Sequence, residues 1–319
     1  MSRPRAADAE VTVVSRIAAT DAVTMLELAS LDGAALPAWE PGAHIDVLMP
    51  SGLVRQYSLC GDPTAATWRI AVLREETSRG GSEWICSSVE EGAALRLAGP
   101  RNHFSFAPTT GAPVLFFAAG IGVTPIAPMA AAAAAAGLDY RVHYSGRARE
   151  RMALLDELEC LHGERLVAHV SGEGSRVDLA AVLGSASAGT VVYACGPGEY
   201  LEAVSAAAEG AGLELHLEHF EAVEAVAPVW EGAFEVELAL TGVTVEVPPE
   251  RSILEVAEEN GAFVLSSCTE GTCGTCETPV VEGEVDHRDS ILTPQERARG
   301  DVMYVCVSRA ACPKLVLEL

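Results

Sequence analysis

The 319-residue chain predicts a multidomain protein with three folds in succession: an antiparallel β-barrel over 1–104, an α/β doubly wound domain over 105–221, and a small α+β domain over 233–319 behind a linker at 222–232. Three observations carry this. Short apolar or alternating runs, punctuated by Gly and Pro, fill the first hundred residues, as in antiparallel barrels. From Val114 the apolar runs become continuous and alternate with helical stretches, the pattern of a parallel sheet covered on both faces. In the last quarter, four of the nine cysteines take the pattern C-x4-C-x2-C…C.

The barrel strands are expected at 11–17, 23–29, 44–49, 56–61, 68–73 and 94–98, with a helix at 82–89 behind Gly80-Gly81. In the second segment, strands at 114–119, 140–144, 166–170 and 190–194 alternate with helices. The linker AVEAVAPVWEG is built of small residues with Pro and Gly and has no periodicity. Beyond it, 234–240 and 243–247 read as a hairpin around Thr241-Gly242. A short helix follows at 253–260, with Ser252 as N-cap and Gly261 as stop.

Composition excludes several functions. A formal charge of −24 argues against nucleic acid, whose phosphates need a basic surface. The polar start MSRPRAADAE has no signal-peptide core, and the most apolar stretch, 113–138, is broken by Gly120, Gly122, Pro125 and Pro128. Cysteines without an export signal point to thiols and metal rather than disulfides, so a cytoplasmic protein without membrane attachment is expected.

Cys268, Cys273 and Cys276 share one tight loop, and Cys306 follows from a strand expected at 303–307. This is the ligand spacing of a plant-type [2Fe–2S] cluster. Thiolates on ferric iron need nearby donors, which the loop supplies: Gly271 and Gly274 permit close backbone approach, and Thr269, Thr272 and Thr275 carry hydroxyls. Zinc is the rival. Four-cysteine zinc sites usually use two C-x2–4-C pairs, whereas Cys306 stands without one, Cys312 being six residues on. Residues 233–319 resemble plant-type ferredoxins, which implies a β-grasp-like domain and a one-electron role.

Gly120-Ile-Gly122-Val-Thr124-Pro125 joins a strand to a helix, the setting in which a pyrophosphate meets a helix N-terminus. Without a third Gly it is weak alone. Cys195-Gly196-Pro197-Gly198 ends a second parallel strand and would line the same crevice. Together they resemble the ferredoxin–NADP reductase superfamily. The resemblance implies that Cys195, Gly196 and Pro197 lie near the nicotinamide and that Ser145-Gly-Arg147 meets the adenosine ribose. An acid there would favour NADH. Arg147, Arg149 and Arg151 keep NADPH open, and NADH is the expected substrate from family habit.

Arg55-Gln56-Tyr57-Ser58 resembles the R-x-Y-S flavin signature of that superfamily. Arg offers a forked cation to phosphate, and Gly80-Gly81-Ser82 opens a helix as a second anion site. The resemblance adds Val72 and Leu73 to the flavin site. The order barrel, nucleotide domain, ferredoxin domain, with Gly99-Pro-Arg-Asn-His-Phe104 and Glu218-His-Phe220 at the junctions, resembles phthalate dioxygenase reductase and the vanillate O-demethylase reductase subunit. That family implies FMN, a ring-stacking Phe220, and a monomeric NAD(P)H-dependent reductase serving a Rieske-type oxygenase on another chain. Thr124 and Ser58 would orient the flavin, and Cys195 would sit beside the transfer position. Two alternatives stay open: a reductase for a cytochrome P450, and another ferredoxin-type carrier. A complete oxygenase is not expected, because Cys160-Leu-His162 supplies only half of a Rieske ligand set.

Overall fold

The computed structural model describes residues 9–75, 80–108, 111–221 and 227–319, so part of the expected linker, 222–226, lies outside the described residues. The chain divides into two compact units, one ending at Phe220 and one beginning at Glu221. No helix among the described residues is long and apolar enough to cross a membrane.

The first unit opens with β1 (Ala9–Ala18), β2 (Val23–Ser30), β3 (His44–Leu48), β4 (Val54–Ser58), β5 (Trp68–Leu73), α1 (Gly81–Ser88) and β6 (Ala94–Arg101). The strands pair antiparallel in the order β4-β3-β6-β1-β2-β5. An antiparallel bridge between Leu59 and Ile70, with the Cys60 amide donating to the Arg69 carbonyl at 2.9 Å, joins the two ends and closes the barrel. Alternating positions fill it: Val11 and Val13, Leu26 and Leu28, Ile45 and Val47 are all buried. On β3 the intervening Asp46 is buried too, held by Gln56 Nε2 at 2.8 Å and Arg101 Nη2 at 2.6 Å.

The unit continues with β7 (Val114–Ala119), α2 (Val123–Ala135), β8 (Tyr140–Gly146), α3 (Leu155–His162), β9 (Leu166–Val170), α4 (Leu179–Gly184), β10 (Val191–Cys195), α5 (Gly198–Ala211) and β11 (Glu214–Glu218). The sheet is wholly parallel, in the order β11-β10-β7-β8-β9. The chain begins at the central β7, builds outward to β9, then crosses to β10. The switch point therefore lies between β7 and β10, where open α/β sheets bind ligands. Strand β11 has no clear sequence signal: ELHLE is an edge strand, and pairing with β10 defines it.

Barrel and sheet share packing. Val23, Cys60, Ala71 and Phe104 belong to the same buried cluster as Phe116 and Tyr193. Arg69 forks onto Glu157 at 2.7 and 2.9 Å. The sheets separate near residue 104, but their cores do not.

The second unit holds β12 (Phe234–Leu238), β13 (Val243–Val247), α6 (Ile253–Glu259), β14 (Glu277–Glu282), β15 (Val285–Asp286), α7 (Pro294–Arg299), β16 (Val302–Tyr304), β17 (Arg309–Ala310) and β18 (Lys314–Leu317). Its main sheet runs β13-β12-β18-β14-β16, with first and last strands β12 and β18 parallel at its centre. This is the β-grasp arrangement. Ser252 caps α6 through a full capping box with Glu255, and Ile253, Leu254, Val256 and Ala257 are buried. One expectation is corrected. The strand expected at 303–307 stops at Tyr304, whose carbonyl accepts the amides of Val307 and Ser308. That turn takes Cys306 out of the ladder.

Candidate functional site

In the second unit the four expected ligands converge. Cys268, Cys273, Cys276 and Cys306 are all buried and all free thiols. The sulfurs of Cys276 and Cys306 stand 3.1 Å apart, and the turn after β16 brings them together. Donors point at sulfur: the Cys268 amide at Cys273 Sγ, 3.5 Å, and the Glu270 amide at Cys268 Sγ, 3.3 Å. The Thr275 hydroxyl lies 3.2 Å from Cys273 Sγ. Cys268 is pushed far down by the thiols of Cys273 and Cys306, with Thr272 contributing; Cys273 and Cys306 are pushed up by sharing protons with it. The amides of Cys268 and Glu270 and the Thr275 hydroxyl are placed to offset negative charge on sulfur. Thr269 departs from expectation, since its hydroxyl donates to the Cys268 carbonyl at 2.6 Å. Gly271 is dictated by space: with φ +73°, a Cβ there would lie 2.6 Å from Val307 Cγ2 and 3.1 Å from Asp289 Cα. The donor set and the absence of a second cysteine pair fit an iron–sulfur cluster better than zinc.

In the first unit, β4 presents Arg55, Gln56, Tyr57 and Ser58 in register with Val47, Asp46, Ile45 and His44. Arg55 Nη1 donates to the Val54 carbonyl at 2.8 Å, while its Nη2 is sealed from solvent with no partner among the described residues. A buried guanidinium nitrogen without an acceptor is costly and suits a bound anion. Gly81, the first residue of α1, packs on this side chain: a Cβ would come within 2.7 Å of Arg55 Cγ. Arg55 and the amino end of α1 therefore lie side by side, a cation next to a helix N-terminus, an arrangement that suits an anion. Ser58 is buried, and Tyr57 is held neutral by burial. Val72 is committed to the barrel core, so only its backbone faces outward; its carbonyl takes the Cys86 thiol at 3.7 Å. Leu73 is half-buried. Phe220 keeps 40% of its surface exposed, so it is not a core aromatic.

The two Gly-rich turns meet at the switch point. A Cβ on Gly122 would lie 2.3 Å from the Cys195 carbonyl oxygen and 2.7 Å from the Gly196 amide nitrogen. A Cβ on Gly196 would meet Ala119 Cβ at 2.9 Å. Only glycine lets these backbones touch, and the contact aligns the start of α2 with the end of β10. Thr124 is buried and its hydroxyl donates to the Ile121 carbonyl at 2.9 Å, holding the turn. The Cys195 thiol is fully buried and kept protonated, chiefly by burial and then by Glu218. Beyond the turns, a cavity of about 440 Å³ runs along the carboxyl ends of β8 and β9, lined by Gly120, Ser145, Arg147 and Pro197 among others. Arg149 is not among its walls: it is tied to Glu159.

Sequence reasoning missed two residues here. Asp46 underpins β4 through Gln56, and its only signal was an acid inside an apolar run. Glu218, paired in register with Cys195, has a sealed, unpartnered Oε2, and burial pushes its carboxyl up to about 8. His162 is buried with its Nδ1 2.8 Å from the Tyr140 hydroxyl, whereas Cys160 is exposed.

Residues 236–311 match the model of the 2Fe-2S iron-sulfur cluster binding domain. The chain is 43% identical over 318 residues to a putative toluene-4-sulfonate monooxygenase system reductase subunit of Comamonas testosteroni, covering 98% of this chain and 99% of that one. Among solved structures, phthalate dioxygenase reductase superposes with a TM-score of 0.67 at 34% identity, over 97% of both chains. A full-length cytochrome P450, CYP116B46 of Tepidiphilus thermophilus, superposes with a TM-score of 0.86 at 45% identity. That match covers all of this chain and 43% of the P450 chain, so this chain spans less than half its length.

Proposed function

Because the chain belongs to the phthalate dioxygenase reductase family of oxidoreductases, with a [2Fe–2S] domain at its carboxyl end, we propose that it takes electrons from NAD(P)H through FMN to that cluster and delivers them to a separate Rieske-type oxygenase. The supporting observation is the coexistence, in one chain, of the nucleotide crevice at the β7/β10 switch point, the Arg55–Gly81 pair and the buried four-cysteine nest.

When bound, the flavin converts a two-electron donor into single electrons, and the cluster relays them one at a time. The chain's own residues supply position and field. Gly120 to Thr124 present amides and the first turn of α2 to the nucleotide pyrophosphate. The Gly122–Cys195 contact fixes the nicotinamide half relative to that anchor. Arg55 would hold a phosphate by its unpartnered Nη2, and Ser58 and the exposed Phe220 would offer a hydroxyl and an aromatic ring to the flavin. Cys195 acts as a small neutral wall, since its thiol stays protonated. Cys268, Cys273, Cys276 and Cys306 would hold the iron, and the amides of Cys268 and Glu270 would offset charge on sulfur.

Anaerobic addition of NADH or NADPH to the holoprotein should bleach the flavin band and then the cluster bands. Cofactor extraction should yield FMN by mass. Flavin bleaching without cluster reduction would refute the relay. A second reading, service to a cytochrome P450, is favoured by the 45% identity to the P450-fused chain. Product formation with a purified Rieske oxygenase but not with a P450 supports the first; the reverse result replaces it.

A further inference from the structure

One buried acid lies against the cysteine loop and is only half partnered. Asp289 follows the short strand β15, and its side chain is fully buried. Its Oδ2 accepts the Ile291 amide at 3.0 Å and the Leu292 amide at 2.8 Å, an Asx-type turn that leads into α7. Its Oδ1 is sealed from solvent and has no hydrogen-bond partner among the described residues. His287 Nδ1 stands 3.8 Å away and is likewise sealed without a partner. Arg297 comes no closer to Oδ2 than 3.9 Å, because its Nη2 and Nε donate to the carbonyls of Asp289 and Leu292. Burial raises the carboxyl, but His287, the amides of Leu292 and Ile291 and the Arg297 charge together outweigh it, so the net shift is downward and the group is ionised at neutral pH. A buried carboxylate with a bond left unmade is costly, and the turn alone does not account for it.

The turn is clamped to the cysteine loop. Ser290 donates twice to the Gly271 carbonyl, from its amide at 3.0 Å and from its hydroxyl at 3.1 Å. Gly271 lies between Cys268 and Cys273, and a Cβ on it would stand 3.1 Å from Asp289 Cα and 3.5 Å from Asp289 Cβ. Glycine therefore lets the backbone of the acid come up against the loop. The charge is buried there, where it is screened far less than the exposed acids Glu282 and Glu284 of the same segment.

We propose that Asp289 is a fixed negative charge that holds down the reduction potential of the [2Fe–2S] cluster, with Ser290 fixing its distance from the cysteine loop. Reduction adds one electron to the cluster and makes or breaks no bond, so the nearby carboxylate opposes it. The proposal rests on reading the four cysteines as the cluster ligands. Its consequence for the relay is directional: the charge makes the cluster a weaker acceptor from the flavin and a stronger donor to the partner.

The test is a redox titration of the holoprotein, following the cluster's visible absorbance and the EPR signal of its reduced form. Asp289→Asn keeps the shape and an acceptor for the two amides but removes the charge. It should favour the reduced cluster about tenfold, the effect of a unit charge at about 10 Å in an effective dielectric of about 20; for a one-electron couple this is an upward shift of about 59 mV. Arg297→Gln removes the cation that faces Oδ2 and should move the potential down; it carries the test if Asp289→Asn assembles no cluster. Ser290→Ala loosens the clamp without changing charge, so it should speed loss of the cluster to a chelator and move the potential far less than Asp289→Asn. Glu284→Gln should leave the potential where it is. An unmoved potential in Asp289→Asn, an equal shift in Ser290→Ala, or an upward shift in Arg297→Gln overturns the assignment alone, because cluster bands in the parent leave the ligand reading intact. A parent protein that holds no cluster overturns the ligand reading, and the assignment with it.

Discussion

Gly122→Ala is the most informative single perturbation, because the structure sets its consequence. The added Cβ would stand 2.3 Å from the Cys195 carbonyl oxygen, 2.5 Å from its carbon and 2.7 Å from the Gly196 nitrogen. Carbon–oxygen contacts settle near about 3.3–3.6 Å, so roughly 1 Å of separation must be found. All three obstacles are backbone, and Cys195 is held between β7 and β11 by parallel ladders. The turn from Gly120 to Pro125 is the part that gives. A displacement of about 1 Å at a positioning element costs on the order of a hundredfold in rate, and overpacking costs about 1–3 kcal/mol in stability. The expected result is a fall of about 10²-fold in kcat/KM for NAD(P)H and a Tm lower by several degrees, with flavin and cluster absorbance retained. Gly120→Ala is the control: φ is +56° there, but nothing lies within 4 Å of the new Cβ, so only backbone strain of about 1–2 kcal/mol applies. Stopped-flow flavin reduction and thermal melts measure both variants. If Gly122→Ala reduces its flavin as fast as Gly120→Ala, the close-approach argument is wrong.

Arg55→Ala should weaken FMN binding about 10- to 100-fold, the loss of a charge-assisted hydrogen bond of about 1.5–3 kcal/mol; Arg55→Lys should recover part of it by charge without the fork. Fluorescence titration of the apoprotein measures this, and unchanged affinity would move the phosphate elsewhere. Cys273→Ser should abolish the cluster's absorbance and delivery to a one-electron protein acceptor while NAD(P)H still bleaches the flavin. Full acceptor activity in that variant would end the proposed route. Glu218 gives a pH dependence. Its folded-state pKa of about 8 lies above the 4.5 of a free carboxyl, so between the two the folded chain holds a proton that the unfolded chain releases. Its contribution to stability is intact below about pH 4.5 and is lost as pH rises through about 8. The Tm of Glu218→Gln should therefore fall less between about pH 6 and pH 9 than that of the parent; parallel melting curves would refute a buried carboxyl.

Much of the redox layout is legible in single stretches of chain. The cysteine spacing specifies a cluster loop because three ligands lie within nine residues, 268–276, and need little else to meet. The runs at 114–119 and 68–73 match β7 and β5 because a buried strand carries its own apolar signature. Edge strand β11 escaped notice because none of its five residues is fully buried, and only the ladder to β10 defines it. The strand assigned to Cys306 ran too long because nothing in MYVCV announces that the Tyr304 carbonyl closes a turn.

The arginines mark the division most clearly. The sequence alone placed Arg55 in the R-x-Y-S stretch and Arg147, Arg149 and Arg151 after the strand at 140–144, and spaced four cysteines as suits iron. It could not rank those arginines. Tertiary structure decided that Arg149 is taken by Glu159 and Arg151 by Asp21, that Arg55 keeps a sealed nitrogen without a partner, and that Arg176, unnoticed in the sequence, lines the same cavity as Arg147. The physical reason is one of range. Periodicity and ligand spacing are properties of neighbours along the chain, whereas whether a charge is neutralised depends on which distant residue folding brings within hydrogen-bonding distance.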